Sequence, residues 1–318
     1  MKFSITIPAY KKRFLREAIE SVKAQTWPDW ELIIVDDCSP EDLASVVEPF
    51  LSDRRISYHR NEQNCGAVDV VDNWNRCLSM CSGQYVVCMG DDDRLLPVCL
   101  EAYCRLMEQH PGLCVYHIRT QLIDHNGQLL ARQEERPEWE SAVSLIWNRW
   151  DHRNMQFIGD FCYDTAWLKA SGGYHKLPLA WGSDDLTAVR AAKVHGIANS
   201  NVLGFEYRVS PITISNTKSH ALTKMDATMV VYRLLSRLTE ELKSTDLRAD
   251  DRRLMDSLDD VKRRYFLQSL GKNVIDYVGG NPLRMAVCRR KLKDMHFSAT
   301  TYLHWYFSSA YHRLRAIF

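Results

Sequence analysis

Two clusters of carboxylates carry much of the chemistry this sequence could do: Asp36-Asp37 and the uninterrupted run Asp91-Asp92-Asp93. Adjacent carboxylates repel one another, and holding three at a buried strand end is costly without a cation. Acids favoured by a helix N-terminus would account for one or two of the three, and Asp36-Asp37 could merely open a turn. Hard oxygen ligands suit Mg²⁺ or Mn²⁺. Such ions usually keep one or two carboxylates and take phosphate oxygens for the rest, so a diphosphate ligand is implied. The Gly-x-Gly-x-x-Gly fingerprint and the Gly-x-x-x-x-Gly-Lys-Ser/Thr loop are both absent, which disfavours NAD, FAD and P-loop nucleotide chemistry.

Both clusters, and the segment Pro8-Ala9-Tyr10, follow strand-like runs. Lys2 to Ile7 is a short apolar run ended by Pro8, Glu31 to Val35 a continuous apolar strand, and Gln84 to Met89 another. Between them Leu15, Ala18, Ile19 and Val22 keep helical spacing. Ser39-Pro40-Glu41-Asp42 reads as a helix start with Ser39 as N-cap. A helix around Val68 to Leu78 and a second from Pro97 to about Gln109 complete the alternation, with strands at Ile56 to Tyr58 and Leu113 to Ile118. This pattern predicts a mostly parallel, doubly wound α/β sheet with right-handed crossovers. Ligands bind such a sheet at the carboxyl ends of its strands, so topology gathers the three clusters. Residues 125–180 read as irregular and aromatic-rich, Asp184 to Val194 as a helix, and Val202 to Val209 as a strand. From Thr223 onward the period is helical. The expected division is a catalytic domain over 1–222 and a helical C-terminal extension over 223–318.

The chain of 318 residues is 46% hydrophobic and 25% charged, the balance of a globular protein. With 41 basic and 40 acidic residues the net charge is +1, which provides no overall field for nucleic acid. No run approaches the length of a membrane-spanning helix, and the apolar stretch at the N-terminus is too short for a signal peptide. None of the ten cysteines has Cys-x-x-Cys spacing. They read as reduced, mostly buried thiols of a cytoplasmic protein.

Several ordered blocks resemble the family 2 glycosyltransferases. They are Ile5 to Tyr10, Ala18 to Trp27, Glu31 to Ser39, and Gly83-Gln84-Tyr85 through Asp91-Asp92-Asp93-Arg94-Leu95-Leu96-Pro97. The resemblance spans about residues 3–215. It implies a GT-A nucleotide-diphospho-sugar transferase fold, a nucleotide-sugar donor (expected to be UDP-linked) and inversion at the anomeric carbon. Carried over by motif, Pro8, Ala9 and Tyr10 line the nucleobase pocket, and Asp37 accepts a hydrogen bond from the base. Asp91 and Asp92 lie at the diphosphate and metal. Ala180-Trp181-Gly182-Ser183-Asp184-Asp185 through Arg190 resembles the segment bearing the catalytic base, and Arg208 to Asn216 a loop closing over the donor phosphates. Two positions depart from the family pattern. Met89 stands at the first position of Asp-x-Asp-Asp, so Mn²⁺ or Mg²⁺ ligation falls on Asp91 to Asp93, with Asp92 and Asp93 the expected ligands. Ser183 replaces a frequent Glu, leaving Asp184, favoured by alignment on Arg190 and Gly196, in competition with Asp185.

A sugar nucleotidyltransferase and a non-catalytic sugar-nucleotide binder are the competing readings. Trp181, just before the base pair, could stack on a glycan or lipid-linked acceptor. The tail from Tyr302 to Phe318 is apolar, aromatic and basic, with Arg284, Arg289, Arg290, Lys291 and Lys293 upstream. It could lie on a membrane surface, or pack on the catalytic domain or on a second subunit of a homo-oligomer.

Overall fold

In the computed structural model, which describes residues 1–209 and 218–315, β1 (Phe3–Ala9) lies at the centre of one half of a ten-stranded sheet. After α1 (Leu15–Lys23), β2 (Trp30–Asp36) pairs parallel to β1. The short α2 (Ala44–Val47) leads to β3 (Ile56–Arg60), parallel to β2. Then α3 (Val70–Met80) crosses to β4 (Tyr85–Cys88) on the other side of β1, again parallel. The central strands β1, β2 and β4 are buried on both faces, whereas the edge strand β3 becomes polar and exposed toward its end, at His59 and Arg60. Leu32 and Ile34 of β2 enter the core on one face, Ile33 and Val35 that on the other.

The chain continues through β5 (Arg94–Leu95), α4 (Cys99–Gln109), β6 (Val115–Ile123), β7 (Leu129–Arg132), β8 (Trp139–Glu140), α5 (Ala142–Trp150), β9 (Phe161–Asp164), α6 (Thr165–Ala170), α7 (Ser183–His195) and β10 (Ile197–Arg208). The sheet order is β3-β2-β1-β4-β9-β6-β10-β5, with β7 on β6 and β8 on β10. Residues 125–180 are therefore less irregular than their composition indicates. Their apolar run Phe161-Cys162-Tyr163 forms β9, which inserts antiparallel between β4 and β6. The result is the mixed sheet of a GT-A fold.

Three local expectations need correction. Pro8 does not end β1; it pairs opposite Val35 inside the strand. It is tolerated because β4 pairs only with Phe3 to Thr6, so no neighbour needs the missing N–H. Ser39 caps no helix. Its hydroxyl donates to the Tyr10 carbonyl at 2.6 Å, and α2 begins only at Ala44. Pro97 precedes α4 rather than sitting in its first turn.

The helical C-terminal region comprises α8 (Ala221–Lys243), α9 (Ala249–Val278), α10 (Pro282–Lys291) and α11 (Ala299–Arg315). Val231, Leu235, Leu258, Val261 and Phe266 of α8 and α9 join the core on one sheet face with residues of α3, α5 and α7. Further along, α8 and α9 share a smaller cluster with Cys288, Leu292, Tyr302 and Trp305 of the last segment. All ten cysteines are unpaired and eight are buried. No helix among the described residues is long and apolar enough to cross a membrane.

Candidate active site

The ends of β1, β2 and β4 meet at one sheet edge, and Asp91 ties two of them together. Its Oδ2 accepts the backbone N–H groups of Tyr10 and Lys11 at 2.7 and 2.6 Å. Asp93 turns inward, accepting from the N–H of Arg208 at 2.9 Å and of Gly90 at 3.2 Å. A Cβ on Gly90 would lie 2.8 Å from Asp93 Oδ2, so a larger residue here would displace that carboxylate. Asp92 has the most exposed carboxylate of the run; its Oδ2 lies 2.6 Å from Lys11 Nζ. Burial pushes the Asp91 and Asp93 carboxyls up, and the neighbouring Asp92 charge adds to both. Lys11 offsets part of this local excess of negative charge.

Asp36 and Asp37 diverge. Asp36 is fully buried and accepts from Tyr58 Oη at 2.6 Å, Ser39 N–H at 2.7 Å and Arg60, a scaffold role. Asp37 faces the pocket. Its Oδ1 accepts from Asn61 Nδ2 at 2.8 Å and the Cys65 N–H at 3.0 Å. Pro8 and Tyr10 line the same cavity, whereas Ala9 is buried behind them. The Ala9 carbonyl accepts the Asp37 N–H at 2.9 Å, so its contribution is to the backbone frame.

The other wall approaches α7 through a strained segment. Leu179 and Ala180 have φ of 63° and 53°, conformations unfavourable for non-glycine residues, and Gly182 has φ 88°. A Cβ on Gly182 would also meet Val231 of α8 at 2.8 Å. The turn delivers Asp184 and Asp185 at the N-terminus of α7, and both line the pocket. Asp185 is held by Arg149 of α5, whose Nε lies 2.9 and 3.0 Å from its two oxygens. Burial pushes the Asp184 carboxyl up to about 7, with the Asp185 charge adding to the shift. Trp181 lines the pocket beside them. Its Nε1 donates to Thr228 Oγ1 at 3.1 Å, and Lys224 Nζ stands 4.8 Å from its ring.

These groups share one cavity of about 740 Å³, a size that suits a nucleotide sugar. Arg208 does not line it. Its guanidinium is buried, donating to Glu17 Oε2 and the Asp92 carbonyl at 2.8 Å each and lying over the Phe14 ring. In this structure it braces the acidic turn from behind. Ser210 to Asn216, the rest of the expected phosphate loop, lie outside the described residues. The sequence reading missed Arg149, Gln156, the stacked pair Phe157 and Tyr207 (centroids 4.1 Å apart), and Tyr265, Phe266 and Ser269 of α9. The aromatic crowding of residues 139–167 was the only signal for any of them.

Among the described residues no three His, Cys, Asp or Glu side chains form a metal cage. The donor set still fits a divalent ion of the kind that takes most ligands from phosphate and water. Asp92 presents a carboxylate to the pocket, and the acidic run is only partly neutralised by Lys11.

Fold and pocket together are those of a GT-A glycosyltransferase. Residues 4–165 match glycosyl transferase family 2, and the chain belongs to that family. It is 28% identical over 240 residues to the putative teichuronic acid biosynthesis glycosyltransferase TuaG of Bacillus subtilis, covering 74% of this chain and 88% of that one. It is 37% identical over 109 residues to the putative colanic acid biosynthesis glycosyl transferase WcaA of Escherichia coli, a match spanning 33% of this chain and 38% of that protein. In fold it is similar to S. aureus TarS 1-349 in complex with UDP-GlcNAc, with TM-score 0.65 and 16% identity, covering 99% of this chain and 92% of that one. It is also similar to the mannosyltransferase PcManGT of Pyrobaculum calidifontis in complex with GDP-Man and Mn²⁺, with TM-score 0.52 and 11% identity, covering 98% and 87%.

Proposed function

We propose that this chain transfers a sugar, with inversion, from a UDP-linked donor to the hydroxyl of a glycan or lipid-linked acceptor in surface polysaccharide synthesis. The observation that carries the reading is the pairing, across one pocket, of the acidic turn at Asp91 to Asp93 with a single carboxylate base, Asp184. Arg149 occupies Asp185 and leaves Asp184 to do proton chemistry. A carboxyl raised to about 7 is suited to accept a proton near neutral pH.

In this reading Pro8 and Tyr10 pack on the nucleobase and Asp37 accepts its N–H. Asp91 fixes the β1 and β4 turns so that Lys11 and Asp92 meet the diphosphate. A divalent ion held by Asp92, as Mn²⁺ or Mg²⁺, would stabilise charge on the departing nucleoside diphosphate. Asp93 and Arg208 support this turn. Asp184 removes the proton of the acceptor hydroxyl as its oxygen bonds the anomeric carbon. The bond from that carbon to the β-phosphate oxygen breaks, and its electron pair leaves with the nucleotide. Attack opposite the leaving group inverts the centre in one displacement. Trp181 offers an apolar face to the acceptor. The catalytic domain is taken as 1–222, with α8 and α9 of the extension completing the pocket wall. The protein would act in the cytoplasm, at the inner face of the membrane.

The test is incubation with a panel of nucleoside diphosphate sugars, with and without Mn²⁺. Slow, metal-dependent release of nucleoside diphosphate without acceptor is expected. A protein that binds these donors but releases none would be a non-catalytic binder.

A further inference from the structure

We propose that α10 and α11 form a docking surface for an anionic lipid bilayer. This deepens the membrane placement above and is independent of the transfer chemistry.

The two helices run side by side and antiparallel. The Gly280 N–H donates to Ser309 Oγ at 3.0 Å near the end of α11, while Arg289 near the end of α10 lies over the Tyr302 ring. Both pack against α9, and α11 does so with only half of its aromatic surface. Tyr302 and Trp305 are buried. On the opposite side Leu303, Phe307 and Tyr311, spaced four residues apart, are 55%, 65% and 56% exposed. Leu283, in the first turn of α10, is 77% exposed, the highest value of any large apolar residue described. An exposed apolar stripe of this kind marks an interaction face.

Charge selects the partner. From residue 283 to the end of the chain there are seven Lys or Arg and one acid, Asp294, although the whole chain is only +1. The preceding residues are therefore net negative, and the positive charge is concentrated here. Arg284, Arg289, Arg290, Lys291 and Lys293 are all exposed. Apolar side chains with surrounding cations match a bilayer bearing anionic headgroups. A second copy of this chain fits poorly. A two-fold contact would bring the same cations against each other, with only Asp294 of this segment and Asp226, which already pairs with Lys291, to offset them.

The experiment is co-sedimentation of the full chain with phosphatidylcholine vesicles, with and without added phosphatidylglycerol. Sedimentation is expected only with phosphatidylglycerol, and raised salt should weaken it. Leu303→Ser with Phe307→Ser should abolish it, and Arg289→Glu with Arg290→Glu should lower partitioning by at least about tenfold. Donor hydrolysis without acceptor should persist in both variants, which reports that they fold. Wild-type protein that stays in the supernatant overturns the proposal. So does equal binding to both vesicle types, or light scattering that shows a dimer broken by the apolar substitutions.

Discussion

Arg149 Nε lies 2.9 and 3.0 Å from the two carboxylate oxygens of Asp185, while Asp184, one residue earlier, has no ion pair among the described residues. Two adjacent acids thereby acquire different tasks. Asp184→Asn keeps the size and most hydrogen bonding of the side chain but cannot accept a proton. Turnover should fall by about 10²-fold or more with donor binding retained. Asp185→Asn leaves the Arg149 guanidinium without its counter-charge. It should cost about 1–3 kcal/mol in denaturant unfolding and reduce turnover less than Asp184→Asn. Equal rates for Asp184→Asn and wild type would remove Asp184 from the base role.

The raised Asp184 carboxyl also sets a pH dependence. A base role for Asp184 requires its ionised form, so kcat/KM should rise with pH through about 7 and level off above it. Stability runs the other way. The folded state holds this proton to a higher pH than the unfolded chain does, so the native form binds more protons from about pH 4 to about 7. Across that window this group erodes wild-type stability as pH rises, by up to about 1.4 kcal/mol per pH unit. Asp184→Asn lacks the penalty and should be the more stable protein at pH 8. The comparison of unfolding midpoints at pH 5 and pH 8 reads it directly. A difference that does not widen with pH would mean Asp184 is already ionised at acid pH.

The legible part of this protein was its sheet edge. Apolar runs at β1, β2 and β4, each followed by a polar cluster, were enough to bring Tyr10, Asp37 and Asp91 to Asp93 together. The opposite wall was legible only through family resemblance, because Arg149 and Asp185 are paired across 36 residues with no periodic signal linking them. Helical spacing in α8 and α9 showed that each buries one face but not what that face covers. Tyr265, Phe266 and Ser269 therefore could not be placed at the pocket from sequence. Arg208 shows the converse limit. Its place in a motif pointed to phosphate, but Glu17, nearly the whole domain away, binds its guanidinium.

Two substitutions separate nucleotide recognition from metal use. Asp37→Ala removes a buried acceptor, leaving the Cys65 N–H unsatisfied and Asn61 Nδ2 with only Asn73 Oδ1 as partner. Nucleoside diphosphate affinity should drop by about tenfold or more, with or without Mn²⁺. Asp92→Ala should instead abolish the extra thermal stabilisation that Mn²⁺ adds to bound nucleotide. If Asp92→Ala still responds to Mn²⁺ as wild type does, the ion is held elsewhere.

Gln156 offers a more stringent test of how the pocket reads the transferred sugar. Its side chain is only 6% exposed and lines the cavity, yet neither amide atom has a hydrogen-bond partner among the described residues. The flanking backbone is fixed: the Met155 carbonyl accepts from Gln133 at 2.9 Å and Arg136 at 2.8 Å, and the Phe157 N–H donates to Asp160 at 3.2 Å. A buried amide whose carbonyl oxygen and NH2 group are both unused costs stability in the empty protein and is suited to paired sugar hydroxyls. Gln156→Leu is close in volume and deletes both polar groups. The empty variant should therefore unfold at a higher temperature than wild type, by about 1–3 kcal/mol of removed penalty. Nucleoside diphosphate should bind it normally if, as proposed, Asp37, Lys11 and Asp92 rather than Gln156 meet the base and diphosphate. The nucleotide sugar should bind about tenfold or more weaker, erasing the increment that the sugar contributes. Calorimetric titration of nucleoside diphosphate against its sugar conjugate isolates that increment. A variant with an unchanged increment would show that Gln156 does not touch the sugar, and a lower melting temperature would show that its amide is satisfied in the empty protein.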